Sequence, residues 1–177
     1  MLTGIQSVNT QSPEEDAIAL LLGCHQRIRH FTEVAVRLAS TPEASEQERV
    51  DAAQAVLRYY TIALPLHEAD ENDSIYPRLH KRLPAGALAE ANENMVAQHR
   101  TIDALVARLV PLWREITAHP ARQKEFESLL DNTEELQNTW RSHLQLEEEQ
   151  VVPAMRQYLA ASELEVVRRE MRARREM

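Results

Sequence analysis

The chain has 177 residues, enough for one domain with a sizeable hydrophobic core. Its formal net charge is −8, whereas a nucleic-acid-binding protein needs a concentrated basic face. Only three glycines, 44% apolar residues and 5% aromatic residues favour helix throughout and argue against β-structure. We therefore expect an all-α protein with no nucleic-acid partner.

Cysteine content and hydropathy bear on the compartment. The single cysteine, Cys24, has no partner for an internal disulfide, which fits a reducing compartment. Residues 1–12 lack the basic and apolar regions of a signal peptide, and no apolar run is long enough to cross a bilayer. We expect a cytoplasmic protein that does not bind membranes.

Capping signals mark the first two helices. Residues 12–15 (Ser-Pro-Glu-Glu) form a capping box with proline at the first helical position, so a helix is predicted from here to about residue 39. A second capping box at residues 45–48 (Ser-Glu-Gln-Glu) begins the second helix, which is predicted to end near residues 77–83. Pro65 lies inside the second helix and predicts a kink, because it removes a backbone donor.

Turn signals and a further cap divide the rest of the chain. The third helix is predicted over residues 87–118, and the fourth runs from the turn at 119–120 to about residue 159. Ser162 is predicted to cap a short fifth helix. We expect a flexible N-terminus at residues 1–11, a four-helix bundle at 12–160 and a C-terminal helix at 161–177.

The motif His-x3-Glu-x5-Pro occurs twice, in the second and fourth helices. It comprises His67, Glu71 and Pro77 in the first copy, and His143, Glu147 and Pro153 in the second. On a helix, a His and a Glu four residues apart lie one turn apart on the same face, so an imidazole and a carboxylate can converge on one point. The motif is how a helix presents two metal ligands.

A single histidine precedes each copy of the motif. His25 lies 42 residues before His67, and His99 lies 44 residues before His143. The chain therefore looks like two copies of one helical hairpin. The distances from these histidines to the intervening turns agree within a few residues, each about 1.5 Å of helix, so antiparallel packing should bring all six candidate ligands into one layer.

A layer of four histidines and two glutamates favours a bound cation. An unpaired buried carboxylate or imidazolium costs several kcal/mol, and a cation removes that cost. Imidazole and carboxylate without thiolate favour iron or manganese over structural zinc, and carboxylates that can bridge favour two ions. The order His-x3-Glu differs from the Glu-x-x-His of ferritin-like bundles, so we predict a different bundle.

In combination these residues resemble the hemerythrin-like (HHE cation-binding) domain family, whose members are four-helix bundles that hold a non-haem diiron centre. The resemblance covers roughly residues 13–160. It includes the segments around the prolines that end the two motifs, Tyr76-Pro77-Arg78-Leu79 and Val152-Pro153. It implies an antiparallel up-down four-helix bundle and two non-haem iron ions, bridged by an oxo or hydroxo group. The iron ligands that it implies are His25, His67, Glu71, His99, His143 and Glu147.

Two further glutamates stand where some family members have an additional acidic residue. Glu68 directly follows the histidine of the first motif, as an acidic residue does in iron-sensing members. Glu148 lies five residues after the histidine of the second motif, where oxygen carriers place a bridging acid, although helix geometry favours the glutamate at the fourth position. Both are candidate accessory ligands.

Oxygen carriers also have a histidine where this chain has Asp103, so the resemblance favours sensing or redox-handling members over reversible carriers.

Other residues near the candidate ligands have a structural interpretation. Trp140 and Tyr60 lie on the ligand-bearing faces; we expect core residues that are also placed to line a pocket for a small diatomic ligand. Cys24 is expected to be a buried, inert thiol. Asp103, four residues after His99, is a candidate to orient its imidazole.

The residues leave three classes of function open. The favoured one is a non-haem diiron-binding protein that handles or senses oxygen, iron or a related small molecule, and that is a binding protein more than an enzyme. The second is a diiron oxidoreductase that reduces peroxide or nitric oxide with a separate electron donor. The third is a metal-free helical interaction module. Because 177 residues leave no room for a separate signalling domain, any output should pass through a protein partner or a homo-oligomer.

Overall fold

The computed structural model describes residues 16–120 and 126–176, and within these ranges the chain is helical and has no strand. The helices are α1 (Ala17–Ser40), α2 (residues 46–80), α3 (Ala87–Ala118), α4 (residues 126–158) and α5 (Ala161–Glu176). The first four pack in a ring, in which α1 contacts α2 and α4, and α3 contacts the same two helices from the opposite side. The predicted all-α bundle with a fifth helix is confirmed. No helix within the described ranges has the length and apolar character that crossing a membrane requires.

The helix starts agree in part with the capping signals. Helix α1 begins after Asp16, whose Oδ1 accepts a hydrogen bond from the Ala19 backbone N–H at 2.7 Å. The capping box predicted at residues 12–15 and the loose segment predicted at 1–11 lie outside the described residues. The capping box of α2 is confirmed, because Ser45 Oγ accepts from the Glu48 N–H and the Glu48 carboxylate accepts from the Ser45 N–H.

Helices α2 and α4 contain π-helical segments: Tyr59–Ala63 and Asp70–Ile75 in α2, and Glu147–Val151 in α4. Each segment is followed by a residue whose backbone N–H bonds to the carbonyl five residues earlier, and the next residue is a proline; the donors are Leu64, Tyr76 and Val152. A proline offers no N–H to the carbonyl four residues before it, so the regular ladder is interrupted and the helix widens. At Pro65, where the sequence predicts a kink, the irregularity is the π-helical segment Tyr59–Ala63.

Two apolar clusters enclose a polar layer in the bundle. On α1, His25 lies between Leu21 of one cluster and Ile28 of the other. On α3, His99 likewise lies between Met95 and Ile102. The histidines therefore occupy a layer with packed hydrocarbon on both sides, which excludes bulk water and lowers the local dielectric constant.

Helix α5 packs on the bundle through Val167 and Met171, which are fully buried. It begins at Ala161, and the Glu163 carboxylate accepts from the Ala160 N–H at 2.9 Å. The predicted cap at Ser162 is therefore wrong: this residue lies inside the helix, and the side chain of Glu163 satisfies the backbone donor of Ala160 instead.

Candidate metal centre

All six residues that the sequence singled out converge in the layer between the apolar clusters. None is more than 3% exposed. Both glutamates lie in the π-helical segments that precede Pro77 and Pro153, and their own carbonyls accept the widened hydrogen bond at the end of each segment. The prolines of the repeated motif therefore shape the backbone that carries the carboxylates.

Each carboxylate spans two histidines, with one oxygen toward each. Glu147 lies 3.1 Å from Nε2 of His25 through Oε2 and 3.4 Å from Nε2 of His143 through Oε1. Glu71 repeats this arrangement, at 3.1 Å from Nε2 of His67 and 2.8 Å from Nε2 of His99. This is the geometry of carboxylates that bridge two positions.

The ligand atoms form two overlapping groups, and within each group they lie within 4.8 Å of one another. One group is His25, His67, Glu71 and Glu147, and the other is Glu71, His99, His143 and Glu147. Each group has two histidines of its own, and both groups share the two glutamates. Among the described residues, these are two adjacent groups, each of which could hold a cation.

The donor atoms fit a bound metal. Nε2 of all four histidines and both oxygens of both glutamates are buried and make no hydrogen bond of acceptable geometry. Buried polar atoms without partners are expensive, and so many in one place are exceptional in a native core. Imidazole nitrogen and carboxylate oxygen are the donors that iron and manganese accept. A cation would satisfy all of these atoms together.

Burial tunes the histidines toward the form that binds metal. It lowers the pKa of His67 well below the usual value, that of His143 below it, and that of His99 to about 4. These imidazoles are therefore neutral at pH 7, and a neutral imidazole is what a metal needs.

The two glutamates influence each other's pKa. Burial, and then the neighbouring charge of Glu147, raise the pKa of Glu71 well above its usual value. Burial also acts to raise the pKa of Glu147, but the surrounding imidazoles, led by His143, outweigh it and lower that pKa. Without a cation the two carboxylates cannot both be charged at low cost, and metal binding would displace the remaining proton.

Three of the four histidines are held by a side chain at their outer nitrogen. His25 Nδ1 contacts Glu148 Oε1 at 2.9 Å, His99 Nδ1 contacts Asn72 Oδ1 at 3.1 Å, and His143 Nδ1 contacts Gln98 Oε1 at 3.0 Å. Such acceptors fix the ring orientation and the tautomer that leaves Nε2 free for a metal. Nδ1 of His67 has no such partner among the described residues.

Sequence reasoning missed most of these supporting residues. Asn72 and Gln98 are ordinary polar residues in sequence, and only the packing of α2, α3 and α4 brings them to a histidine on another helix. Arg29, which donates to Glu148 Oε2 at 2.9 Å, carried a signal, because it lies one turn after His25 on α1.

The accessory candidates lie outside both groups. Glu148 contacts the outer nitrogen of His25, on the side away from Glu147. Glu68 lies beside Asp103, and burial, followed by the charge of Asp103, raises the pKa of Glu68 to about 8. The prediction that Asp103 orients the imidazole of its own helix is wrong, because Asn72 on α2 occupies that nitrogen.

The aromatic candidates are core residues. Trp140 is buried, with its ring centroid 5.3 Å from that of His143, and Tyr60 Oη hydrogen-bonds Thr32 Oγ1 at 2.7 Å. Trp140 also lines a cavity of about 370 Å³ between α1 and α4. Cys24 is buried as expected.

The comparison with known protein families agrees with this geometry. The model of the family described as the hemerythrin HHE cation binding domain matches residues 16–155, a range that includes all six residues of the centre. No curated protein matches the chain. Because the family match covers well over half of the sequence, the chain belongs to the hemerythrin HHE cation-binding domain family.

Proposed function

We propose that this protein binds two non-haem iron ions and uses them to sense or handle oxygen, iron or a related small molecule. The observation that supports the proposal best is the pair of overlapping donor groups that share two carboxylates. The proposed ligands are His25, His67, Glu71, His99, His143 and Glu147. Bound iron would supply Lewis acidity and one-electron redox chemistry at this point.

The donor count supports a small-molecule function. Each group offers two imidazole nitrogens and two carboxylate oxygens, which is fewer than the six ligands of an octahedral ion. The donor count thus leaves coordination positions open for a small ligand such as oxygen. Sensing and handling need no further catalytic residue, and within the described ranges we assign none.

Other side chains of the chain fix the orientation of the donor groups. Glu148, Asn72 and Gln98 orient three imidazoles through their outer nitrogens. Burial lowers the pKa of His67, His99 and His143 and keeps these rings neutral. The proposed unit is the bundle of residues 12–160, followed by a C-terminal segment at 161–177 whose helix, Ala161–Glu176, packs against the bundle. A cytoplasmic location and a protein partner or homo-oligomer for any output are part of the same proposal.

Metal content and optical absorption test this function. The protein is purified without oxygen, its metals are counted by mass spectrometry, and its absorption spectrum is recorded before and after exposure to air. We expect two irons per chain and a charge-transfer band that develops in air. A band that reverses when oxygen is removed would indicate carriage, whereas an irreversible change would indicate sensing or redox handling.

The matched variants are Glu147→Ala and Glu149→Ala. Glu147 is fully buried and shared by both donor groups, whereas Glu149 is exposed two residues later. The first variant should lose the iron and the band, and the second should keep both. Wild-type protein that holds no iron after reconstitution, or a Glu147→Ala variant with an unchanged spectrum and iron content, would overturn the proposal.

A further inference from the structure

His67 differs from the other three histidines of the centre at its outer nitrogen. Its Nε2 faces Glu71 at 3.1 Å, so Nδ1 is on the opposite edge of the ring, and that nitrogen is buried without a hydrogen-bond partner. Histidines that bind metals almost always donate this N–H to an acceptor. Because His67 is only 1% exposed, an acceptor for this nitrogen would have to come from a molecule held inside the protein.

A partly enclosed cavity lies against His67. Its volume is about 460 Å³, far larger than the roughly 30 Å³ that one water occupies. Its lining includes the apolar residues Leu66 and Met171 and the basic residues Arg27, Arg172 and Arg175. Arg172, Arg175 and Met171 lie on α5, beyond residue 155, where the family match ends, whereas Arg27 lies on α1. The cavity is therefore built partly by a segment outside the shared domain.

The charge of the cavity is positive and incompletely compensated. Arg27 is exposed, donates to Cys24 Sγ at 3.0 Å, and has no carboxylate partner among the described residues. Arg175 also approaches Cys24 Sγ, at 3.4 Å, but it is paired with Asp70 at 2.6 Å. The guanidinium of Arg27 is thus placed to bind an anion from solution.

We propose that this cavity binds a small organic carboxylate. Its oxygens accept from Arg27 and from the Nδ1–H of His67, and its hydrocarbon part lies against Leu66 and Met171. Water would satisfy the imidazole but leave the guanidinium without a counter-charge, and inorganic phosphate would make no use of the apolar wall. A short carboxylate matches both the donors and the hydrocarbon surface.

The site would couple a metabolite to the metal centre. A carboxylate at Nδ1 makes the imidazole a stronger metal ligand, so binding of the carboxylate and of the metal should strengthen each other. This part of the inference rests on the proposed ligand role of His67, whereas binding of the carboxylate itself depends only on the cavity.

Calorimetric titration of the full chain tests the site. The probes are sodium butanoate, butanamide of the same size without charge, and inorganic phosphate. We expect one butanoate per chain, no binding of butanamide and weaker binding of phosphate. The Arg27→Gln variant should bind butanoate about tenfold more weakly, because one charge-assisted hydrogen bond is lost, and the exposed control Arg114→Gln should match wild type. A second variant, Ala63→Met, adds bulk at the cavity wall and should abolish binding without changing charge.

The outcomes separate this site from the proposed function. No heat with butanoate, equal binding by Arg27→Gln, or tighter binding of phosphate would overturn the carboxylate site. Metal content is measured in every sample and should not change in Arg27→Gln. Butanoate binding that depends on Arg27 in a protein that holds no metal would support the site and contradict only the diiron function.

Discussion

The contact that a histidine makes through Nδ1 determines how precisely its Nε2 is oriented. Gln98 lies on α3 and holds His143 of α4 at 3.0 Å, so the contact ties two helices together as well as fixing a ring. Asn72 does the same for His99 between α2 and α3. Residues outside the two donor groups therefore determine how precisely the candidate ligands are placed.

Replacing Gln98 by Leu should weaken metal binding. The variant keeps the volume of the side chain but removes the acceptor for the His143 Nδ1–H, so the ring can turn and its tautomer is no longer fixed. We expect metal affinity to fall about 10- to 100-fold, measured by competition with a chelator. Gln145→Leu, at an exposed position on α4, is the control and should bind as wild type does. Equal affinities for the two variants would show that the Gln98 contact is not needed.

The π-helical segments are the element-scale feature that carries the two glutamates. In each copy of the motif, the N–H before the proline bonds to the carbonyl of the glutamate itself. The proline therefore acts on the ligand through the backbone, six residues away in sequence. This explains physically why the repeat extends beyond the His-x3-Glu spacing.

The Pro153→Ala variant should weaken metal binding and leave the stability of the metal-free chain nearly unchanged. Alanine restores an N–H, so α4 can close into a regular helix and rotate Glu147 away from its histidines. We expect weaker metal binding in the same chelator competition, while the free energy of unfolding of the metal-free chain changes by no more than about 1 kcal/mol. Pro111→Ala, at an exposed proline within α3, should leave metal affinity unchanged. Undiminished affinity in Pro153→Ala would contradict the role of the π segment.

Helix α5 is held to the bundle by ion pairs next to the centre. Asp70 is fully buried beside Glu71, and it accepts from Arg174 at 3.0 Å and from Arg175 at 2.6 Å. Glu170 of α5 also binds Arg78 of α2, at 2.8 and 3.1 Å. The neighbour of a proposed iron ligand thus anchors the C-terminal helix.

The Asp70→Asn variant should loosen α5. It removes the charge that two guanidinium groups share, and hydrogen bonds to charged groups contribute roughly 1.5–3 kcal/mol. Since both arginines are partly exposed, we expect a loss of about 2 kcal/mol in the free energy of unfolding by urea, with faster amide hydrogen exchange at residues 161–176. Asp73→Asn, at an exposed position in the same π segment, is the control. Unchanged exchange in α5 would mean that its apolar contacts alone hold it.

At the scale of the whole molecule, the candidate metal centre lies between the two apolar clusters of the core. The two apolar clusters pack against it from both sides, and the four bundle helices each contribute a histidine. Without a cation the molecule retains buried nitrogen and oxygen atoms that make no hydrogen bond of acceptable geometry at this point. Metal binding and stability should therefore be linked.

Removing the metal should lower the thermal stability of the protein. A ligand that binds only the native state at a hundred times its dissociation constant adds about 2.7 kcal/mol. We expect the melting temperature to fall on treatment with a chelator and to recover when iron(II) is added without oxygen. A melting temperature that ignores both treatments would favour a metal-free helical module.

The sequence predicted the bundle and the layer of six residues, because both follow from local patterns. Composition, caps and turn signals predicted the helices, and the spacing from His25 and His99 to the turns predicted the height of the candidate ligands. It did not predict what depends on packing between helices: the contact of Asn72 with His99, or the anchoring of α5 by Asp70. The sequence also did not predict the π segments, since a proline predicts an irregularity but not its hydrogen-bond pattern.

Native mass spectrometry of the chain loaded with iron(II) in the absence of oxygen tests the two-metal centre most directly. The shared carboxylates predict two ions per wild-type chain. They also predict one ion in His99→Ala, which affects a single donor group, and loss of both in Glu147→Ala, which affects both groups. A single ion in the wild-type chain, or two ions retained in Glu147→Ala, would contradict a centre bridged by Glu71 and Glu147.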